Sequence, residues 1–215
     1  MRIFCLSDDG GRFGGTKAFM YRKYGKRALD VFFAALLLLL LAVPMAIVAL
    51  VIRLDSPGSV LFTQKRVGLN EKYFTIYKFR TMRTDAPAEV ATRRLRSSRN
   101  YITRVGRFLR MSSIDELPQL YNILRGDMSF VGPRPTLWNE TELVEERRKH
   151  NAYVTRPGLT GLAQVRGRDE LNDAEKAYYD GVYVKNIHFD YDLRIILQTV
   201  IVVLYAEGYQ EGTEG

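Results

Sequence analysis

The chain reads as an α+β protein, mostly helical, whose N-terminal apolar helix enters a membrane and turns back. Three observations predict this. Residues 31–52 are an unbroken apolar run with Pro44 near its middle. Two short β-rich segments follow, separated by a Gly68-Leu69-Asn70 turn. The remaining stretches carry helical periodicity with apolar and basic faces, the pattern of amphipathic interfacial helices. The expected layout is a flexible lead over residues 1–20, a membrane-inserted re-entrant helix over 21–54, a larger domain over 55–207 and a tail over 208–215.

A straight helix over residues 31–52 would be about 33 Å long, enough to cross a hydrocarbon core of about 30 Å. It is longer than the apolar region of a signal peptide, and no small-x-small cleavage site follows, so it is read as retained. Arg22, Lys23, Lys26 and Arg27 precede it, and Arg53, Lys65 and Arg66 follow it. A straight span would set these two basic flanks in competition for the cytoplasmic side. A helix broken at Pro44, with both ends in the cytoplasm, satisfies both. Such a break frees carbonyls that hydrocarbon cannot satisfy, so protein, water or headgroups must meet them.

The totals narrow the classes. The chain has 215 residues, 47% of them apolar, which suits one core plus a membrane element. A formal charge of +8 suits an anionic partner: phospholipid headgroups, nucleic acid or a phosphorylated substrate. The single cysteine, Cys5, excludes an internal disulfide, and two histidines make no zinc-like cluster. The Gly-rich run from Gly10 to Lys17 ends in Gly-Thr-Lys and lacks the Gly-Lys-Ser/Thr of a phosphate loop.

In chain order, residues 60–64 and 73–77 read as a hairpin. A helical stretch opens at Pro87 and ends near Arg99. A second, with Ile102, Val105, Phe108 and Leu109 on one side, runs to about Met111. Residues 113–125 carry the best helix signals and are stopped by Gly126. Further helices are expected over 137–150, 173–186 and 191–206. The last is too short to span a bilayer and carries Asp192, Arg194 and Gln198, which places it at the interface or against the core.

Several segments could carry chemistry. Seven arginines and no acid lie between Arg93 and Arg110. Arg104, Arg107 and Arg110 share one helical face, which fits either anionic lipid or a phosphate site reached by Arg110. Ser113 and Glu116 have capping-box spacing. Asp115 and Glu116 then read either as a good helix N-terminus or as an aspartate nucleophile acting on phosphorus beside arginine and a divalent metal. In Gly132-Pro133-Arg134-Pro135, two prolines fix the backbone around one arginine, as a rigid anion-binding loop or a structural corner would need. Asp190-Tyr191-Asp192 is either a metal-holding Asp-x-Asp or a helix cap.

Taken together these segments resemble the bacterial sugar transferase family, the monotopic phosphoglycosyl transferases. The resemblance runs from Lys26-Arg27-Ala28-Leu29-Asp30 through Gly58 to Gly68 and Tyr77-Lys78-Phe79-Arg80-Thr81-Met82. It continues in Asp115-Glu116-Leu117-Pro118-Gln119-Leu120, in Gly126 to Pro135 and in Arg156-Pro157-Gly158-Leu159-Thr160-Gly161. It covers about residues 22 to 206. The family's membrane segment turns at Ser-Pro, where this chain has Val43-Pro44.

The resemblance implies transfer of a phosphosugar from a UDP-sugar to polyprenol (undecaprenyl) phosphate, with release of UMP. That is a first membrane step of a bacterial glycan pathway such as exopolysaccharide biosynthesis. It implies Asp115 as the nucleophile that forms an aspartyl-phosphosugar intermediate, with Glu116 assisting. It further implies Mg²⁺ with Asp115 as ligand, and phosphate contacts from Arg110 and Arg134. Lys78, Gln164 and Asp192 are expected to bind substrate. Location in the bacterial inner membrane, with the catalytic domain on the cytoplasmic face, follows from the same resemblance. No nucleic acid partner is expected, and a homodimer is left open. Two other readings compete: a single-span glycosyltransferase that uses Asp190 and Asp192 and releases UDP, and a non-enzymatic basic module tethered to a membrane.

Overall fold

The computed structural model describes residues 16–87, 100–167 and 170–204. Residues 1–15 of the expected lead, nearly all of the helical stretch expected up to Arg99, and the tail over 208–215 lie outside them. The described chain is mostly helical around a small sheet. Helix begins at Thr16, inside the stretch expected as a flexible lead. There α1 (Thr16–Met20) runs through a π-helical turn, Tyr21–Gly25, into α2 (Lys26–Leu40). After Leu41 the chain bends by 62° into α3 (Ala42–Asp55).

The bend falls at Leu41, which corrects the expected break at Pro44. A proline acts on the preceding turn: Pro44 has no N–H for the carbonyl of Leu40, and its ring crowds that carbonyl. Leu41 therefore leaves helical geometry (φ −94°, ψ 3°), and Pro44 sits in the first turn of α3, where a missing donor costs least. Bonds of 2.8 Å from Leu41 N to Leu37 O and from Met45 N to Leu41 O carry the ladder to either side. Among the described residues no single helix is long and apolar enough to cross a membrane; the bent pair passes only together.

The hairpin is present and longer than expected. Strands β1 (Leu61–Val67) and β2 (Tyr73–Phe79) pair antiparallel, and Asn70 and Glu71 take positive φ in the turn. The other side of β1 pairs with β4 (Thr136–Leu137), so the helix expected over 137–150 starts only at Thr141. A second, parallel pair joins β3 (Ser129–Val131) to β5 (Gly158–Thr160). Helix α4 (Arg104–Met111) is capped by the Thr103 side chain, and Ile102 lies before it in a bridge to Met82. A Cβ on Gly106 would sit 2.0 Å from the carbonyl oxygen of Thr81, so only glycine lets α4 approach so closely.

The helix expected over 113–125 is divided. Ser113 is left-handed (φ 57°), ends α4 and caps nothing with its side chain. A 3₁₀ turn, Ile114–Glu116, leads to Pro118, and only then does α5 (Gln119–Arg125) begin, ended by left-handed Gly126. The expected capping box is absent because Ser113 completes the preceding helix instead. The rest follows as α6 (Thr141–Lys149), α7 (Leu162–Arg166), α8 (Asp173–Lys185) and α9 (Phe189–Leu204).

Three apolar clusters hold the layers. Ala34 of α2 packs with Ile76, Leu120, Ile123 and Met128. Ile52 of α3 packs with Phe79 and Leu109. Val131, Leu162, Tyr183, Val184, Ile187 and Ile195 bind β3 to the last three helices. The outer faces of α2 and α3 are different: Phe32, Leu39, Leu40, Val43, Ile47, Leu50 and Leu54 are all exposed.

Polar groups spaced along α2 fasten it to the body. Lys26 Nζ lies 2.6 Å from Asp192 Oδ2, which also accepts a 2.6 Å bond from the Tyr21 hydroxyl, while Tyr183 donates to Asp192 Oδ1 at 2.8 Å. Arg27 donates to the carbonyls of Ile123 and Leu124 at the end of α5, at 2.6 and 3.0 Å. One turn on from Lys26, Asp30 Oδ1 accepts from Phe130 N and Ser129 Oγ, both at 3.1 Å. Two of the basic residues read from sequence as topology signals are thus turned into the protein. Lys26→Met would leave Asp192 buried without its cation. It is expected to cost roughly 3–5 kcal/mol, read by thermal or denaturant unfolding of the purified protein in detergent.

Candidate active site

Asp115 and Glu116 sit on the 3₁₀ turn between α4 and α5, beside the far end of β2. Their neighbours differ. Glu116 Oε1 accepts from Lys78 Nζ at 2.7 Å and from Arg134 Nη2 at 3.2 Å. No described residue donates a hydrogen bond to Asp115, although the charges of Lys78, Arg110 and Arg134 all reach it. Burial, with the Glu116 charge adding to it, pushes the Asp115 carboxyl up to about 6, against the pull of those three cations. Burial likewise draws the Lys78 ammonium below its usual range, opposed by Glu116 and Asp115.

Each cation arrives from a different element. Lys78 comes from β2, facing the turn. Arg110 closes α4, and its Nε donates to Thr81 Oγ1 at 2.8 Å, which aims the guanidinium inward while Arg104 and Arg107 stay exposed. Arg134 comes from the Gly132-Pro133-Arg134-Pro135 loop, and the main chain of this loop is gripped at three consecutive carbonyls. Gly158 N donates to Pro133 O at 2.9 Å, Arg147 Nη1 to Arg134 O at 2.6 Å, and Arg66 Nη1 to Pro135 O at 3.0 Å. The base of the loop is glycine on glycine: a Cβ at Gly158 or at Gly161 would fall 2.1 Å from the main chain of Gly132.

Arg147 and Asp180 were not singled out by the sequence reading, and Arg66 was read only as part of a basic flank. Arg147 is buried, donates from Nε to Asp180 Oδ2 at 2.8 Å, and also meets Thr136 Oγ1. Burial raises the Asp180 carboxyl, and Arg147 opposes the rise. Arg147 belongs to an acidic-then-basic helix, Thr141–Lys149, whose pattern reads as solvated charge matched to a helix dipole. Nothing local marks one of its arginines as interior.

The structure therefore brings Asp115, Glu116, Lys78, Arg110 and Arg134 together. Gln164 stands nearby on α7: its Nε2 donates to Leu159 O at 3.0 Å, and its Oε1 is buried with no hydrogen-bonding partner among the described residues. That oxygen would lie 3.0 Å from a Cβ at Gly161, beside the base of the Arg134 loop. Asp192 is elsewhere. Both its oxygens are occupied by Lys26, Tyr21 and Tyr183.

Among the described residues no group of three His, Cys, Asp or Glu side chains could cage a metal alone. Magnesium does not require one. It is commonly held by one or two carboxylates together with substrate phosphates and water, and Asp115, free of described hydrogen-bond donors, fits that role.

The family model described as bacterial sugar transferase matches residues 21–206. The chain belongs to that family. A protein from Caulobacter vibrioides named UDP-glucose:undecaprenyl-phosphate glucose-1-phosphate transferase is 48% identical over 184 residues, 81% of this chain and 68% of its own length. The exopolysaccharide production protein PSS of Rhizobium leguminosarum is 44% identical over 190 residues, 82% of this chain and 93% of the relative. The undecaprenyl-phosphate glucose phosphotransferase of Komagataeibacter xylinus is 42% identical over 189 residues, 81% of this chain, and the chain spans only 35% of that relative's length. The matched region of this sugar transferase takes in every residue of the cluster around Asp115.

The raised Asp115 carboxyl has a consequence for stability. Its folded value lies above its unfolded one, so ionising it opposes folding, fully above about 6 and not at all below the ordinary carboxylate value of about 4. Near neutral pH, Asp115→Asn is expected to melt at the wild-type temperature or above it. The gap should close as the pH falls through that window, as followed by calorimetry or intrinsic fluorescence.

Proposed function

We propose that this protein moves a sugar phosphate from a UDP-sugar to polyprenol (undecaprenyl) phosphate and releases UMP. The reaction would take place at the cytoplasmic face of a bacterial inner membrane. The single observation that carries the proposal is the contrast at the 3₁₀ turn. Glu116 is tied to Lys78 and Arg134, whereas Asp115 stands among three cations with no hydrogen-bond donor from the described residues. The names of the relatives support undecaprenyl phosphate as acceptor and make UDP-glucose the first donor to try.

The chemistry runs in two displacements at one phosphorus. An Asp115 carboxylate oxygen attacks the β-phosphorus of the UDP-sugar. The bond from that phosphorus to the oxygen bridging the two phosphates breaks, and UMP leaves with the electron pair. A phosphosugar is then held on Asp115 as an acyl phosphate. An oxygen of the polyprenol phosphate attacks the same phosphorus, and the Asp115 carboxylate leaves. The product is polyprenyl-diphosphate-sugar, and Asp115 is restored.

Lys78, Arg110 and Arg134 lower the cost of bringing a carboxylate to a phosphate and take up charge that develops on the equatorial oxygens. Glu116 keeps two of those cations in place and balances them between turnovers. Bound Mg²⁺, with Asp115 as a ligand, supplies further neutralisation of the diphosphate. The bent α2–α3 pair lies within one leaflet, which keeps both ends of the hairpin on the cytoplasmic side and the cluster at the interface. The exposed apolar residues on both arms support this placement.

The test is UMP release from membranes or lipid nanodiscs supplied with polyprenol phosphate and a panel of UDP-sugars. Asp115→Asn is expected to abolish release and to form no covalent sugar adduct by intact-protein mass spectrometry. The first displacement, measured without acceptor, should slow as the pH falls through about 6, because the nucleophile is then protonated. Full activity and adduct formation in Asp115→Asn would overturn the mechanism. Release of UDP in place of UMP would return the reading to a glycosyltransferase that acts through other residues.

A further inference from the structure

A groove of about 250 Å³ opens between the catalytic turn and α9, with Glu116 and Arg134 among its lining residues. Leu117, Phe130 and Leu159 line it from the body of the protein, and Ile196, Val200 and Val203 from α9. Its threonines offer a ligand little polarity. Thr160 Oγ1 and Thr199 Oγ1 lie 2.6 Å apart, and Thr199 donates to Ile195 O at 2.7 Å, so their hydrogen bonds are made within the wall. A sugar ring or a pyrimidine base would have to give up hydration here for almost nothing in return. The groove suits a molecule with an anionic head and a hydrocarbon tail.

The surface outside α9 gives such a molecule its way in. Ile196 and Val200 line the groove and are also 38% and 52% exposed, continuous with exposed Leu193 and Leu197 on the same helix. A lipid lying against α9 could slide its tail between these side chains without crossing a polar rim. Arg134, from its clamped loop, would then meet the phosphate, and Asp115 is within reach of the Arg134 charge.

We propose that this groove binds the first isoprene units of the polyprenol phosphate acceptor, with the lipid phosphate at Arg134. The inference rests on the acceptor named under Proposed function and adds where its chain lies. The donor half-reaction needs no lipid, so the two can be told apart.

The experiment uses the full chain in nanodiscs and a series of polyprenol phosphates of increasing length. For the wild type, acceptor KM is expected to fall about fourfold for each methylene-sized increment buried over the first isoprene units, then to level off. Ile196→Gln, which makes the wall polar, and Val200→Phe, which narrows it, should each raise acceptor KM about tenfold or more. Both should leave the acceptor-free UMP burst and the KM for the UDP-sugar unchanged. A wild-type acceptor KM in both variants, or a loss confined to the UMP burst, would overturn the assignment.

Labelling with a photoreactive polyprenyl phosphate reads the groove without turnover. Adducts on Phe130, Ile196 or Val200 of the wild type support it, and adducts confined to α2 and α3 overturn it. If these labels appear while no UDP-sugar yields UMP, the lipid site stands and the proposed reaction fails.

Discussion

The buried Lys26–Asp192 pair is the contact on which the rest of the molecule depends. Removing two charges from water is costly, and here the cost is offset by a short ion pair and two tyrosine hydroxyls on the same carboxylate. The pair joins the first turn of α2 to the first turn of α9, residues far apart in the chain. With that end fixed, Arg27 reaches the carbonyls that close α5, and Asp30 reaches the main chain of β3. Strand β3 runs directly into the loop that carries Arg134. The bent helix pair and the loop that carries Arg134 are therefore referenced to one polar core, and the position of one sets the position of the other.

Adjacent carboxylates acquire different chemistry from their surroundings alone. Glu116 has two cations within ion-pair distance and acts as part of the scaffold. Asp115, one residue earlier, is half-buried beside the same cations without a direct partner among the described residues, and its carboxyl is raised to about 6. The 3₁₀ turn matters here. It separates successive side chains by more than an α-helix would, so neighbouring carboxylates need not share the same partners.

Much of this was legible from residues. The hairpin, the apolar run, α8 and the final apolar helix all announce themselves by composition or periodicity. Arg110, Asp115, Glu116 and Arg134 stood out by their own local patterns, Lys78 came through the family's motifs, and the fold gathers all five. The bend was displaced by three residues because proline disrupts the carbonyl one turn earlier, not its own position. The three-residue strands β3 and β5 have no period to detect, and their pairing depends on glycines whose packing partners lie about thirty residues away. Arg147 was missed, and Arg66 read only as a flanking charge, for another reason. An arginine that bonds a carbonyl in the interior looks, in sequence, like one that is solvated. Asp192 shows the converse, since an Asp-x-Asp pattern suggested a ligand where the fold uses one carboxylate as an anchor.

The mounting of Arg134 has a consequence for how such a site can change over time. The main chain of its loop is gripped on its own account, by Gly158, Arg147 and Arg66 at three carbonyls and by Gly132 N donating to Thr160 O, and two prolines set the path on either side. None of those bonds involves the side chain being presented. The residue at this position can therefore be exchanged while the loop keeps its course. A lineage could vary the side chain presented here one substitution at a time, at the cost of its pairing with Glu116 but not of the main-chain bonds that carry it.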